Sequence, residues 1–203
     1  FDKANTSGSL WSVMEARVSR RGPGRRPLHR DELAHLLWRV ARVRKVIRTE
    51  PQDLPSRPMP AGGSLNELEF YLVVHRCDGL APGLYHYAGV EHVLEKLPAS
   101  PAVLASLLDT AGAAQALAGQ RSDCLIVLAA RLPRLGWKYE GIAYRVALMN
   151  AGVAVDSLYL VATDLGLSPC AVGTGNSTLF AQATGLSPWE ETAVAEFTVN
   201  GPA

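Results

Sequence analysis

Lys138 and Tyr139 stand side by side in the run Arg131-Leu-Pro-Arg-Leu-Gly-Trp-Lys-Tyr-Glu-Gly-Ile-Ala-Tyr-Arg145, just ahead of a long apolar stretch. An ammonium beside a phenol can share one proton, because both groups have reference pKa values of ~10, and a modest perturbation turns either into a base. Read without context, the same pair is a surface lysine beside a packed tyrosine. What surrounds it therefore matters.

Two other clusters carry possible chemistry. Arg17-Val-Ser-Arg-Arg21 sets forked guanidinium donors and a hydroxyl within one short run, a donor set that matches phosphate oxygens. Gly173-Thr-Gly-Asn176 is a small polar loop able to offer backbone N–H groups to a ring or a phosphate. It is not a dinucleotide fingerprint or a P-loop, since no strand is expected before it and no Gly-Lys-Ser follows. The five histidines lack metal-ligand spacing and no G-x-S-x-G elbow is present, so metal-dependent and serine-hydrolase chemistry lose support.

Elements must place these clusters. Leu33, Leu36, Leu37 and Val40 recur at helical spacing behind Asp31 and Glu32, whose charges suit a first turn. Residues 50–63 collect Pro51, Pro55, Pro58, Pro60 and the Gly62-Gly63 pair, which predicts an irregular loop whose backbone can approach a ligand closely. Strands are expected over 69–77, twice within 79–97, over 124–130 and over 192–199. Helices are expected over 102–117, 177–184 and, as one long element stopped by Gly166, over 140–165. Ile142, Val146, Met149, Val153, Leu158, Leu160 and Val161 fall around more than one stripe of that long helix, which predicts burial nearly all round, as a central helix or a dimer seam. The whole reads as a single α+β domain over residues 1–203.

Composition bounds the function. The 203 residues, 48% of them hydrophobic, suffice for a folded core and argue against disorder. The net charge of +1 hides an asymmetry: residues 17–48 hold eleven lysines and arginines against two acids, a segment of +9 that points to an anion. Cys77, Cys124 and Cys170 are odd in number and far apart, so neither a disulfide framework nor a zinc site is suggested and a reducing, cytoplasmic setting fits. Neither a signal sequence nor a charge-free apolar span is seen, and no membrane partner is expected. The sequence opens on Phe1 rather than Met, which fits a piece of something longer.

Taken in order, Arg17-Val-Ser-Arg-Arg21, the Leu33–Trp38 segment, Leu54-Pro-Ser-Arg-Pro-Met-Pro-Ala-Gly-Gly63, Leu68-Glu-Phe-Tyr71, Gly83-Leu-Tyr-His-Tyr87 and Lys138-Tyr139 resemble the SagB-type dehydrogenases. These form the branch of the flavin-dependent nitroreductase superfamily that oxidises thiazolines and oxazolines in peptide natural products. The resemblance implies a nitroreductase-like, mainly antiparallel mixed sheet flanked by helices with a long buried central helix, a homodimer, and FMN near the subunit interface. By motif, Arg17, Ser19 and Arg21 would hold the FMN phosphate. Pro60, Ala61, Gly62, Gly63, Ser64 and Asn66 would line the isoalloxazine, and Gly173, Thr174, Gly175 and Asn176 would approach its reactive edge. Lys138 and Tyr139 fall on the family's Lys-Tyr motif. The chain has Ala61 where the family loop usually carries Ser, which removes one candidate flavin contact.

Azoline oxidation removes a proton from Cα and a hydride equivalent from the adjacent ring carbon, so the protein must supply a base. A tyrosine at a helix N-terminus beside a lysine would have its phenolate favoured, which suggests Tyr139 as base and Lys138 as activator; the exchanged roles remain open. Neighbouring helical residues point apart, so only one of the two is expected to face substrate. The implied partners are an azoline-containing peptide and a cyclodehydratase or assembly-line protein, with nucleic acid not expected. Two other readings compete: an NAD(P)H-dependent flavin reductase of nitroreductase type, and a non-catalytic scaffold that uses the basic segment to hold an anion.

Overall fold

The computed structural model describes residues 9–117 and 119–202. In chain order its elements are α1 (Leu10–Ala16), β1 (Leu28–His29), α2 (Arg30–Ala41), β2 (Lys45–Ile47), β3 (Leu54–Ser56), β4 (Leu68–Val74), β5 (Cys77–Asp78), β6 (Gly83–Ala88) and β7 (Val93–Leu97). There follow α3 (Pro101–Ala114), β8 (Cys124–Ala130), α4 (Pro133–Tyr139), α5 (Ala143–Asp164), β9 (Leu167–Val172), α6 (Ser177–Thr184) and β10 (Thr192–Pro202).

Six strands form one antiparallel sheet in the order β7-β6-β4-β8-β10-β9, and parallel pairing is confined to the two-residue β1–β5 ladder. β4 and β8, at the centre, are buried along their whole length because helices cover both faces. Phe70, Leu72, Val74, Ile126 and Leu128 share a core with Leu33, Leu36 and Leu37 of α2 and the small residues of α5. The alternate residues Tyr71, Val73, Leu125 and Val127 pack with Leu107 of α3 and Phe180 of α6 on the other face. The strand period of two thus separates two cores from one sequence.

α2 begins with a capping box in which the His29 N–H donates to Glu32 while the Asp31 N–H donates to His29 Nδ1. α5 ends where expected: Gly166 takes φ +70 just past the last turn. The irregular segment after α2 is more regular than its prolines suggest, since β3 pairs with β2 and gives the loop a fixed base.

The long helical stretch Pro133–Asp164 is apolar enough by length and composition to cross a membrane, but it lies at the core of the fold. Ala143, Ala147, Ala151, Ala154, Leu158 and Ala162 form its buried stripe, and these small side chains let the helix lie close to the sheet. Burial does not extend all round the helix. Tyr144, Leu148 and Met149 stand exposed at 56%, 41% and 65%, an apolar flank of α5 without cover among the described residues. The stretch is also not continuous, because Glu140 adopts φ +43 and a 3-10 turn over Glu140–Ile142 separates α4 from α5. Lys138 and Tyr139 therefore close the last turn of α4 instead of opening α5.

Candidate active site

The break at Glu140 decides how the lysine and tyrosine point. Lys138 and Tyr139 lie at the carbonyl end of α4, so the dipole argument made for an N-terminal position does not apply. Both side chains nevertheless reach one place. A Cβ added at Gly63 would lie 2.8 Å from Lys138 Nζ and 3.0 Å from Tyr139 Oη. Both side chains thus converge on Gly63. Between themselves they are in cation–π register, with Nζ 5.8 Å from the tyrosine ring centroid, and no hydrogen bond joins Nζ to Oη.

The Pro60–Asn66 loop is held against this pair by its own polar groups. Gly62 N–H donates to Asn150 Oδ1 at 3.2 Å, and Asn150 Nδ2 donates to Glu67 Oε1 at 2.8 Å. A Cβ at Gly62 would lie 2.7 Å from Val146, which is closer than real side chains come. Gly63, Ser64 and Asn66 all have positive φ, so the loop is a tight backbone coil. Ser64 Oγ and Asn66 Nδ2 both donate to Pro55 O, which turns these two side chains toward β3 and leaves the backbone of Gly62-Gly63 facing Lys138 and Tyr139. Pro60 is exposed and Ala61 half-buried at the entry of the coil.

Asn150 and Glu67 were not singled out from sequence. The readable signal was a polar side chain on the buried stripe of an otherwise apolar helix. Glu67 is fully buried, and burial pushes its carboxyl up from the ordinary value despite the Asn150 hydrogen bond.

The Gly173–Asn176 loop lies at the same end of α5, where Tyr144 joins it around a cavity of about 330 Å³. β9 runs straight into this loop and α6 follows, so a strand does precede it; Pro169 hid that strand, and an edge position tolerates the proline. Asn176 caps α6 by accepting from the Leu179 N–H, and its own N–H donates to the buried Glu196. Its side chain is thus committed to the helix, while Gly173, Thr174 and Gly175 are exposed. A bulge in β10 between Ala193 and Ala195 borders the same cavity.

The arginine cluster lies at the opposite end. Ser19 Oγ is 2.8 Å from the Tyr159 hydroxyl, which also accepts the Ala171 N–H at 2.7 Å, and the Arg17 guanidinium sits 5.3 Å over the Tyr159 ring. Arg20 N–H donates to Pro169 O on the edge strand. Arg17 and Arg21 are exposed, and neither has an acidic partner among the described residues. From Ala143 to Tyr159 the helix axis advances about 24 Å at 1.5 Å per residue. One end of α5 therefore carries the lysine, the tyrosine and the two loops, and the other carries free guanidiniums.

The nitroreductase family model matches residues 14–199. The chain belongs to the nitroreductase family. Among its nitroreductase relatives, a Methanocaldococcus jannaschii protein named as a putative nitroreductase is 26% identical over 153 residues, covering 72% of this chain and 69% of that one. A structure titled as a putative nitroreductase of Ralstonia eutropha superposes over 100% of this chain and 87% of its own, at TM-score 0.78 and 22% identity. The Escherichia coli microcin synthetase McbBCD complex with truncated pro-MccB17 bound contains a chain that superposes over 100% of this one and 77% of its own, at TM-score 0.71 and 20% identity. A Desulfovibrio desulfuricans nitroreductase structure in complex with FMN covers 98% and 88%, at TM-score 0.58 and 14% identity. Against a nitroreductase structure from Anabaena variabilis the chain spans only about a third of the neighbour's length.

Proposed function

We propose that this nitroreductase-family oxidoreductase is an FMN-dependent azoline oxidase of SagB type, built on a single domain over residues 1–203, converting thiazolines or oxazolines of a peptide to thiazoles or oxazoles. The observation that carries the reading is the convergence of Lys138 Nζ and Tyr139 Oη on Gly63. A general base and a cation aimed at one point of a glycine coil is an arrangement that proton removal needs and packing does not.

The residues present fit FMN as two halves. Arg17 and Arg21 are guanidiniums without acid partners, with the Ser19 hydroxyl between them, a donor set suited to a phosphate monoester. Gly62 and Gly63 leave the backbone bare where a Cβ would collide, as a flat ring edge requires. The length of α5 between these halves is more than a ribityl chain reaches. A second copy completes the site, with the phosphate donors of one protomer facing the glycine coil of its partner, and the exposed Tyr144, Leu148 and Met149 supply an apolar flank for that contact.

When bound, FMN supplies the hydride acceptor for the redox step. The chain's own residues handle the proton. Tyr139 Oη or Lys138 Nζ removes the Cα proton, and the other holds the charge that develops. Asn150 fixes the Gly62 N–H, and the buried Glu67 fixes Asn150, so the coil does not shift as the pair works. The microcin synthetase complex, a biosynthetic assembly with a pro-peptide bound, supports a peptide as substrate and a complex as setting.

The purified protein tests this reading through its absorption spectrum. A bound flavin band, or its appearance on adding FMN, is expected, and an azoline peptide should bleach that band anaerobically without a nicotinamide. Bleaching by NADPH alone would instead assign a nitroreductase-type flavin reductase.

A further inference from the structure

Beside the Pro60–Asn66 loop lies a cavity of about 630 Å³ between the β2–β3 arm, β6 and α4, with Leu65 of that loop in its wall. Four arginines line it: Arg48, Arg57, Arg131 and Arg134. Three of them are answered. Arg48 pairs with Asp53, Arg131 with Glu191, and Arg134 with Glu69 at 2.7 Å.

Arg57 is the exception. It is only 8% exposed, its Nη1 donates to Leu68 O at 2.8 Å, and its Nε finds no acceptor among the described residues. No carboxylate forms an ion pair with it: of the two acids near it, Glu69 is taken by Arg134, Arg131 and His86, and Glu67 is hydrogen-bonded by Asn150. A buried guanidinium without a counter-anion is costly, and a ligand that brings one removes the cost.

Arg57 is the one guanidinium of the lining without an ion pair among the described residues, so a ligand that brings a single negative charge answers it. Glu91 lies exposed on the rim. Val46 and Leu65 contribute apolar lining, which suits a carbon skeleton beside the charge.

We propose that this cavity binds a carboxylate carried on an apolar group, with Arg57 as its buried counter-charge. The carboxylate can be a peptide C-terminus or an acidic side chain, and both share the fork geometry that a guanidinium accepts. The cavity adjoins the Pro60–Asn66 loop through Leu65 and through Arg134, which donates to Asn66 O at 3.1 Å, but none of Pro60 to Ser64 lines it, so the proposal does not depend on the flavin reading. Its position is relevant to a peptide enzyme, because Arg134 and Lys138 are one turn apart on the same face of α4, one lining this cavity and the other meeting Gly63.

Calorimetric titration of the whole chain, with FMN bound and again without it, tests the proposal using N-acetyl-leucine, N-acetyl-glutamate α-amide, N-acetyl-leucinamide and inorganic phosphate. One of the two acids binds saturably at one site, which identifies C-terminal or side-chain carboxylate, while the neutral amide does not bind. The visible flavin spectrum stays unchanged on binding, which separates this cavity from a ligand stacked on the flavin. Arg57→Met weakens the acid at least tenfold. Val46→Asp, which adds a negative charge at the lining and keeps Arg57, does the same and covers failure of the first variant to fold. The proposal is overturned if neither acid binds, if the amide binds equally well, if phosphate binds more tightly than both acids, if binding perturbs the flavin band, or if a folded variant binds like the parent.

Discussion

At the N-terminal end of α5 the candidate catalytic atoms are set by a bare glycine backbone and a buried Asn150–Glu67 pair, whereas toward the C-terminal end Arg17 and Arg21 are exposed, Arg17 resting on the Tyr159 ring and Ser19 bonded to its hydroxyl. The difference matches the tasks proposed for the two ends. Proton transfer requires a base held within hydrogen-bond reach of one carbon, so its placement must precede substrate. A phosphate is met by long cationic side chains that reorganise around it, and stripping them of acid partners beforehand leaves their charge available.

The comparison breaks first at the pair itself. Tyr139→Phe and Lys138→Ala should each retain the flavin yet lower azoline oxidation by roughly 10²–10⁴ for the residue that acts as base, read as single-turnover bleaching. Flavin loss in both variants would move the pair from catalysis to cofactor binding. Equal turnover in both would leave the N-terminal end without its proposed task.

Acid should loosen this same end before the other. Burial pushes the Glu69 carboxyl up, but His86, Arg134, Arg131 and Arg57 outweigh it and hold it at about 2, against an ordinary 4.5. A depressed folded pKa contributes stability that is present above the unfolded value and is lost as pH falls from about 4.5 toward 2. The contribution at neutral pH is on the order of 3 kcal/mol, and Glu69→Gln should remove most of it and flatten the acid limb of Tm against pH. Because Arg131 and Arg134 carry α4, oxidation should fail over that limb before FMN affinity does.

Smaller effects sharpen the contrast. Arg17→Ala or Arg21→Ala should weaken FMN binding by about ten- to a hundredfold, as expected for one charge-assisted contact of roughly 1.5–3 kcal/mol, with steeper salt dependence in the parent than in the variant. Gly63→Ala should cost about 1–2 kcal/mol for a side chain at φ +59 and lower Tm by a few degrees. Its added methyl displaces Lys138 Nζ and Tyr139 Oη, so turnover should fall more than stability does. Unchanged turnover would show that the convergence on Gly63 is incidental.

Much of this was legible from sequence because its causes are local. Cys124–Ala130 and 177–184 read correctly because an apolar run without charges and an Asn-capped, Gly-stopped segment are direct consequences of burial and backbone geometry. The glycine coil was legible for the same reason: Gly62 and Gly63 stand where side chains collide. What was not legible depends on context. Nothing in Tyr-Glu-Gly announces the positive φ of Glu140, so the pair was placed at the start of α5 when it ends α4, and the dipole argument does not hold. β9 was hidden by Pro169, which only an edge strand accommodates, and edge position is a property of the whole sheet. Asn150 and Glu67 form one unit only after the fold brings together residues 83 positions apart.

The most direct measurement follows the bound flavin band after anaerobic mixing of the FMN-loaded protein with an azoline-containing peptide, in the parent and in Tyr139→Phe. The account predicts rapid bleaching without nicotinamide in the parent, with azole product matching the flavin reduced, and a loss of at least a hundredfold in the variant, within the range of a missing general base. A flavin that stays oxidised with the peptide but is bleached by NADPH, equally in both proteins, would contradict it.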